Sequence, residues 1–166
     1  PGYSGTIMTA TYQTARDLGW EYFEKLAQQN ILQVQSAADP PKKIALGERA
    51  IQADGVEYLI LHEKESGQPV EPVYAAEGTP LIIGPNGLFK AAPNPNAARL
   101  FQSFSFSPEC QQLCIDIGGL RSVHPQTKEH AGRAPLNKIK LMKDDAAAVL
   151  RDGEQIKARY TKIFHV

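Results

Sequence analysis

Between residues 11 and 29, Leu18, Tyr22 and Leu26 recur at four-residue intervals with polar and charged residues between them. That spacing lines the three up along one side of a helix, so the segment reads as amphipathic and helical, with Asn30 suited to its C-terminal end. Residues 31–34 form a short β-like run. The polar stretch after it contains Pro40-Pro41, which opens a helix over residues 42–48, since proline in a first turn forfeits no helical hydrogen bond. The apolar pattern then breaks into short pieces. Residues 50–53, 56–62 and 69–74 read as strands, separated by Asp54-Gly55 and Glu65-Ser66-Gly67, both turn-forming sequences, and residues 81–83 and 88–90 continue the series.

Helical patterning returns at Pro93-Asn94-Pro95-Asn96, which stops the strands and caps a helix over residues 97–106. Ser107-Pro108 opens a further helix, which Gly118-Gly119 ends. A stretch bearing Pro125, Gly132 and Pro135 covers residues 124–135. It is followed by a strand at 139–142 and a closing helix over 144–164, with Gly153 as a candidate break and Asp144-Asp145 favouring its positive end. Strands and helices interleaved in this way predict an α/β fold. The chain enters its first helix through Gly2-Tyr3-Ser4-Gly5-Thr6 without a strand ahead of it, and a parallel sheet would need one there. The reading therefore expects further chain upstream.

Composition narrows the function. Eighteen basic residues balance eighteen acidic ones over 166 positions, so the chain carries no excess positive field for a nucleic-acid backbone. With 42% hydrophobic and 22% charged residues it has the make-up of a globular protein, and apolar runs such as Leu59-Ile60-Leu61 fall far short of the ~20 residues that cross a bilayer.

The candidate chemistry is sparse. Ser4-Gly5-Thr6 ahead of a helix brings together backbone N–H groups, hydroxyls and a positive helix end, the requirements of an anion site; plain capping is the other reading. Glu57 and Tyr58 lie in the expected strand 56–62, where a carboxylate and a phenolate could serve a hard trivalent metal, or the tyrosine could pack on a core. His62, His124, His130 and His165 are scattered without ligand spacing. Ser4 sits in no nucleophile elbow, and no catalytic constellation is legible, so the chain does not read as an enzyme. Cys110 and Cys114 share one helix face without the additional ligands of a zinc site, and they read as free or buried thiols, with a disulfide inside the helix as the alternative.

Several stretches together resemble family 1 extracellular solute-binding proteins of the ferric-iron ABC transporter type. They are Glu77-Gly78-Thr79-Pro80-Leu81-Ile82, Lys90-Ala91-Ala92-Pro93-Asn94-Pro95-Asn96-Ala97-Ala98, Ser107-Pro108-Glu109-Cys110-Gln111-Gln112, Gly119-Leu120-Arg121-Ser122-Val123-His124-Pro125 and Ile156-Lys157-Ala158-Arg159-Tyr160. The resemblance implies a type II periplasmic-binding-protein fold, with two α/β lobes closing on a ligand. Residues 1–88 and 136–166 would form the C-terminal lobe and residues 89–135 a segment returning to an N-terminal lobe that lies mostly outside this chain. It further implies a periplasmic protein that hands its ligand to the permease of an ABC importer. Ser4, Gly5 and Thr6 resemble the turn that holds a synergistic anion in such proteins. Tyr58 matches one member of their iron-ligating tyrosine pair, while Glu57 stands in place of the other and Gly55 in place of an asparagine. The expected ligand is Fe(3+) with a synergistic anion, or a small organic anion. The competing readings are an effector-binding domain of a regulator and an α/β enzyme.

Overall fold

The computed structural model describes residue 2 and residues 4–166. Its regular structure is helical: α1 (Gly5–Leu18), α2 (Trp20–Ala27), α3 (Asp39–Ala45), α4 (Glu57–Glu65), α5 (Pro95–Ser105), α6 (Pro108–Asp116) and α7 (Ala146–Phe164), with a 3-10 turn at Leu136–Lys138. The chain divides into two compact units. One comprises Pro1–Gln33, Tyr74–Gly84 and Leu136–Val166; the other comprises Val34–Val73 and Pro85–Pro135.

This corrects the α/β class and, with it, the type II periplasmic-binding fold that the resemblance implies. Among the described residues no sheet forms, and pairing between extended segments is limited to a single parallel bridge between Thr79 and Leu141. Residues 31–34, 50–53, 69–74, 81–83 and 88–90 run without strand partners. An apolar run becomes a strand only when a neighbour takes its backbone hydrogen bonds. Ile51, Val73, Ile83 and Phe89, which would have faced a sheet core, are exposed instead.

Residues 56–62 depart furthest from expectation, since they begin α4. Four of the nine residues of α4 are Glu or Lys and two are Leu, all strong helix formers, and Glu57 places a carboxylate in the first turn where the helix dipole favours it. The N-terminal helix also differs from the reading, because Gly19, at φ 78°, divides it into α1 and α2. Gly153, by contrast, is carried inside α7 without a break.

In the first unit α1, α2 and α7 pack together around Met8, Ala10, Phe23, Ala148, Ile156 and Phe164. Phe23 is the aromatic hub. Its ring meets those of Trp20 at 5.5 Å, Tyr22 at 5.2 Å, Tyr160 at 6.1 Å and Phe164 at 6.3 Å, within the range in which edge and tilted pairs attract. The Thr79 bridge completes the unit: Thr79 N donates to Lys140 O at 2.8 Å and Met142 N to Thr79 O at 2.9 Å. In the second unit α3 packs on α4 and α5 on α6, and the buried residues are Pro41, Leu61, Val70, Ile115 and Arg133.

Candidate functional site

The expected site residues fall into both units: Ser4, Gly5 and Thr6 into the first, Glu57 and Tyr58 into the second. Each group is described separately.

Ser4 is the N-cap of α1. Its extended backbone stops the helix, and its Oγ accepts from Ile7 N at 3.3 Å, which satisfies one of the N–H groups that a helix leaves unpaired at its start. The first turn holds no acidic side chain, so no carboxylate of its own offsets the positive end of this 14-residue helix. Gly5 and Thr6 are exposed, and a Cβ built on Gly5 would meet nothing within 4 Å. The turn therefore presents open backbone and the exposed Thr6, a geometry suited to a small anion.

Glu57 belongs to an ion-pair network. Its two carboxylate oxygens accept from Arg121 Nε at 2.9 Å and Arg121 Nη2 at 2.7 Å, a forked pair of the strongest kind proteins make. Arg121 also reaches Glu129 Oε1 at 3.1 Å and Ala134 O at 2.8 Å. Beneath it lies Arg133, whose side chain is only 1% exposed. Arg133 donates to the carbonyls of Leu120 and Gly119, and its Nε sits 3.9 Å from Glu57 Oε2 with no hydrogen-bond partner among the described residues. Two arginines and two glutamates thus neutralise one another around the start of α4.

Tyr58 is exposed at the edge of this network, and the backbone of Gly119 closes against it: a Cβ on Gly119 would lie 3.2 Å from Tyr58 Cβ. Tyr58 is the one tyrosine of this unit, and it is 38% exposed. A metal site formed from this unit's own carboxylates would compete with the arginines for Glu57. Among the described residues no group of three or more His, Cys, Asp or Glu comes together. The four histidines stay dispersed, with His130 Nδ1 3.5 Å from Glu65 and His165 at the left-handed C-cap of α7. Cys110 and Cys114 are both free.

Nothing in the sequence signals that Arg121 and Arg133 pair with Glu57, or that Glu129 shares those arginines. Gly118-Gly119 was legible as a helix end, but a separation of 64 positions between Glu57 and Arg121 hides their pairing. No helix of the described residues is long and apolar enough to cross a membrane.

Among known proteins, the chain is 33% identical over 155 residues to an uncharacterized protein of Haemophilus influenzae strain Rd, a match that takes in 87% of this chain and 43% of that protein. The chain thus spans less than half the length of this relative. No family model matches it, and no solved structure does.

Proposed function

We propose that this chain is the ligand-contacting part of a solute-binding component of an ABC importer and that it takes a small anion at the start of α1. The observation that carries the reading is the first turn of α1, where Ser4 caps, Gly5 is open, Thr6 is exposed and no acidic side chain balances the helix end. A polyatomic anion placed there gains the N–H groups of the turn other than that of Ile7, which Ser4 holds, together with the Thr6 hydroxyl and the helix dipole.

Residence in the periplasm and delivery to a membrane permease belong to the same proposal and rest on the sequence resemblance. So does the remainder of a longer protein, which would supply further contacts. No bond is made or broken; capture and release follow from relative affinities. Ferric iron enters as cargo accompanied by its anion. Glu57 is engaged by Arg121, so Tyr58 is the side chain here to test for iron ligation.

Calorimetric titration of phosphate, citrate and ferric citrate into the chain tests the proposal, with Thr6→Asp as the decisive variant. Aspartate in the first turn supplies an internal anion that stabilises the helix by about 0.3–1 kcal/mol. The variant should melt no lower than the parent yet lose anion binding. Unchanged affinity in Thr6→Asp would remove the helix start as the site. Tyr58→Phe separates the metal question: loss of a visible charge-transfer band with ferric citrate, at unchanged phosphate affinity, assigns iron contact to the phenol.

A further inference from the structure

Cys110 and Cys114 lie one turn apart on α6, both half-buried and neither bonded. Side chains four apart on a helix share a face, with Cβ atoms about 5–6 Å from one another. A disulfide needs its Cβ atoms about 3.5–4.5 Å apart, so closing one here would distort the helix. A bridging ion that adds two metal–sulfur bonds between the sulfurs has no such requirement.

The helix carrying the pair is held at both ends. Ser107 Oγ accepts from Cys110 N at 3.2 Å. At the other end a Cβ on Gly118 would come within 2.8 Å of the Cys114 carbonyl, so the chain turns tightly against that carbonyl. Between them the Gln111 side chain donates to Ser105 O at 2.7 Å and accepts from Ser122 Oγ at 2.6 Å, fixing the flank of the helix. These contacts fix the backbone and flank of the helix that carries both thiols, which lowers the cost of bringing the two to one ligand.

Ligand number and softness select the ion. Structural zinc is almost always four-coordinate, and no group of three or more ligating side chains exists among the described residues. Thiolates favour soft ions, monovalent copper foremost among those satisfied by few ligands.

We propose that Cys110 and Cys114 form a two-thiolate site for a soft monovalent cation of the Cu(I) class. On binding, each thiol releases its proton to solvent as one sulfur–metal bond forms, and the metal keeps its oxidation state. The site lies on α6 in the second unit and is independent of anion capture at α1 in the first.

The test is an anaerobic titration of Cu(I) into the whole chain, in competition with a coloured Cu(I) chelator. One ion per chain is expected, with affinity falling on the order of 100-fold in either Cys110→Ser or Cys114→Ser as the chelate is lost. A double variant, Cys114→Ser with Ile117→Cys, keeps two thiols but sets them about 10 Å apart along the axis, two turns away, at a position that is 82% exposed. It should bind no better than the single variants, with helicity unchanged by circular dichroism. Parent-like affinity in either serine variant or in the relocated pair would overturn the proposal, as would a parent that binds no more tightly than the serine variants.

Discussion

The side chain of Gln13 serves Leu81 as a neighbouring strand would: its Oε1 accepts from Leu81 N at 3.0 Å and its Nε2 donates to Leu81 O at 2.8 Å. Gln13 is fully buried, and its Nε2 also reaches Asp144 Oδ1 at 3.3 Å. One amide side chain on α1 thus satisfies a backbone donor and a backbone acceptor in an extended segment that has no strand beside it. Gln13→Leu keeps the bulk but leaves both groups of Leu81 without their partner, each costing about 1–3 kcal/mol when buried. Chemical denaturation should show a loss of at least ~2 kcal/mol; a loss below ~0.5 kcal/mol would mean that water reaches Leu81.

The Glu57 network makes a second demand. Glu57→Gln leaves Arg121 and the buried Arg133 short of a counter-charge. Breaking a fully buried pair costs about 3–5 kcal/mol, and Glu57 keeps 23% of its exposure, so the expected loss is roughly 1–3 kcal/mol. The double variant Glu57→Gln, Arg121→Gln should recover part of that loss, which a double-mutant cycle would read directly.

Gly119 is held at φ 62° with its Cα facing Tyr58. Alanine there incurs the left-handed backbone penalty of about 1–2 kcal/mol and a 3.2 Å contact with Tyr58 Cβ as well. Gly119→Ala should lower the melting temperature, whereas Gly5→Ala, in open space inside a helix, should hold or raise it.

Acid sensitivity has a local contribution. The hydrogen bond from Arg16, at 2.6 Å, holds the Asp17 carboxyl below its ordinary range, against a smaller opposing effect of desolvation. A carboxylate depressed in the folded state adds stability above the unfolded value, near ~3.9, and loses it as pH falls through the folded one. Both side chains are about one-third exposed, so Asp17→Asn should cost less than ~1 kcal/mol at pH 7, and the gap from the parent should close as the medium is acidified below that range.

Helix α5 contributes no buried residue, and Leu100, Phe101 and Phe104 are all exposed on it. A helix of 11 residues draws little stability from itself, so its amides should exchange with deuterium well before those of α1 and α7, whose inner faces are buried. Equal protection of α5 and α7 would contradict this ranking.

The helices were largely legible in the sequence, and the strands were not. Leu18, Tyr22 and Leu26 fall in helical sequence as expected, but Gly19 places Leu18 on α1 and the other two on α2, where Phe23 is the buried residue. Ser107-Pro108 and Asp145 mark helix starts that hold in detail, through hydrogen bonds to Cys110 N and Ala148 N. These signals are local, completed within one turn. The strand signals at 50–53, 69–74 and 81–83 depend on partners far along the chain, and only Thr79 and Leu141 find each other. At 56–62 the strand reading rested on a short apolar run, whereas the Glu and Lys residues beside it favour the helix that forms. Ser4 does cap a helix, as one reading of Ser4-Gly5-Thr6 allowed, but the helix starts at Gly5 rather than near residue 11; the pairing of Glu57 with Arg121 needed the tertiary structure.

Anion capture at α1 is tested most directly by following backbone amide resonances during a phosphate titration of the isotope-labelled chain. Saturable shifts centred on Gly5 and Thr6 are expected, with the start of α6, where Glu109 already lies in the first turn, unmoved. Shifts spread evenly over all helix starts, or none at Gly5 and Thr6 while others move, would contradict it.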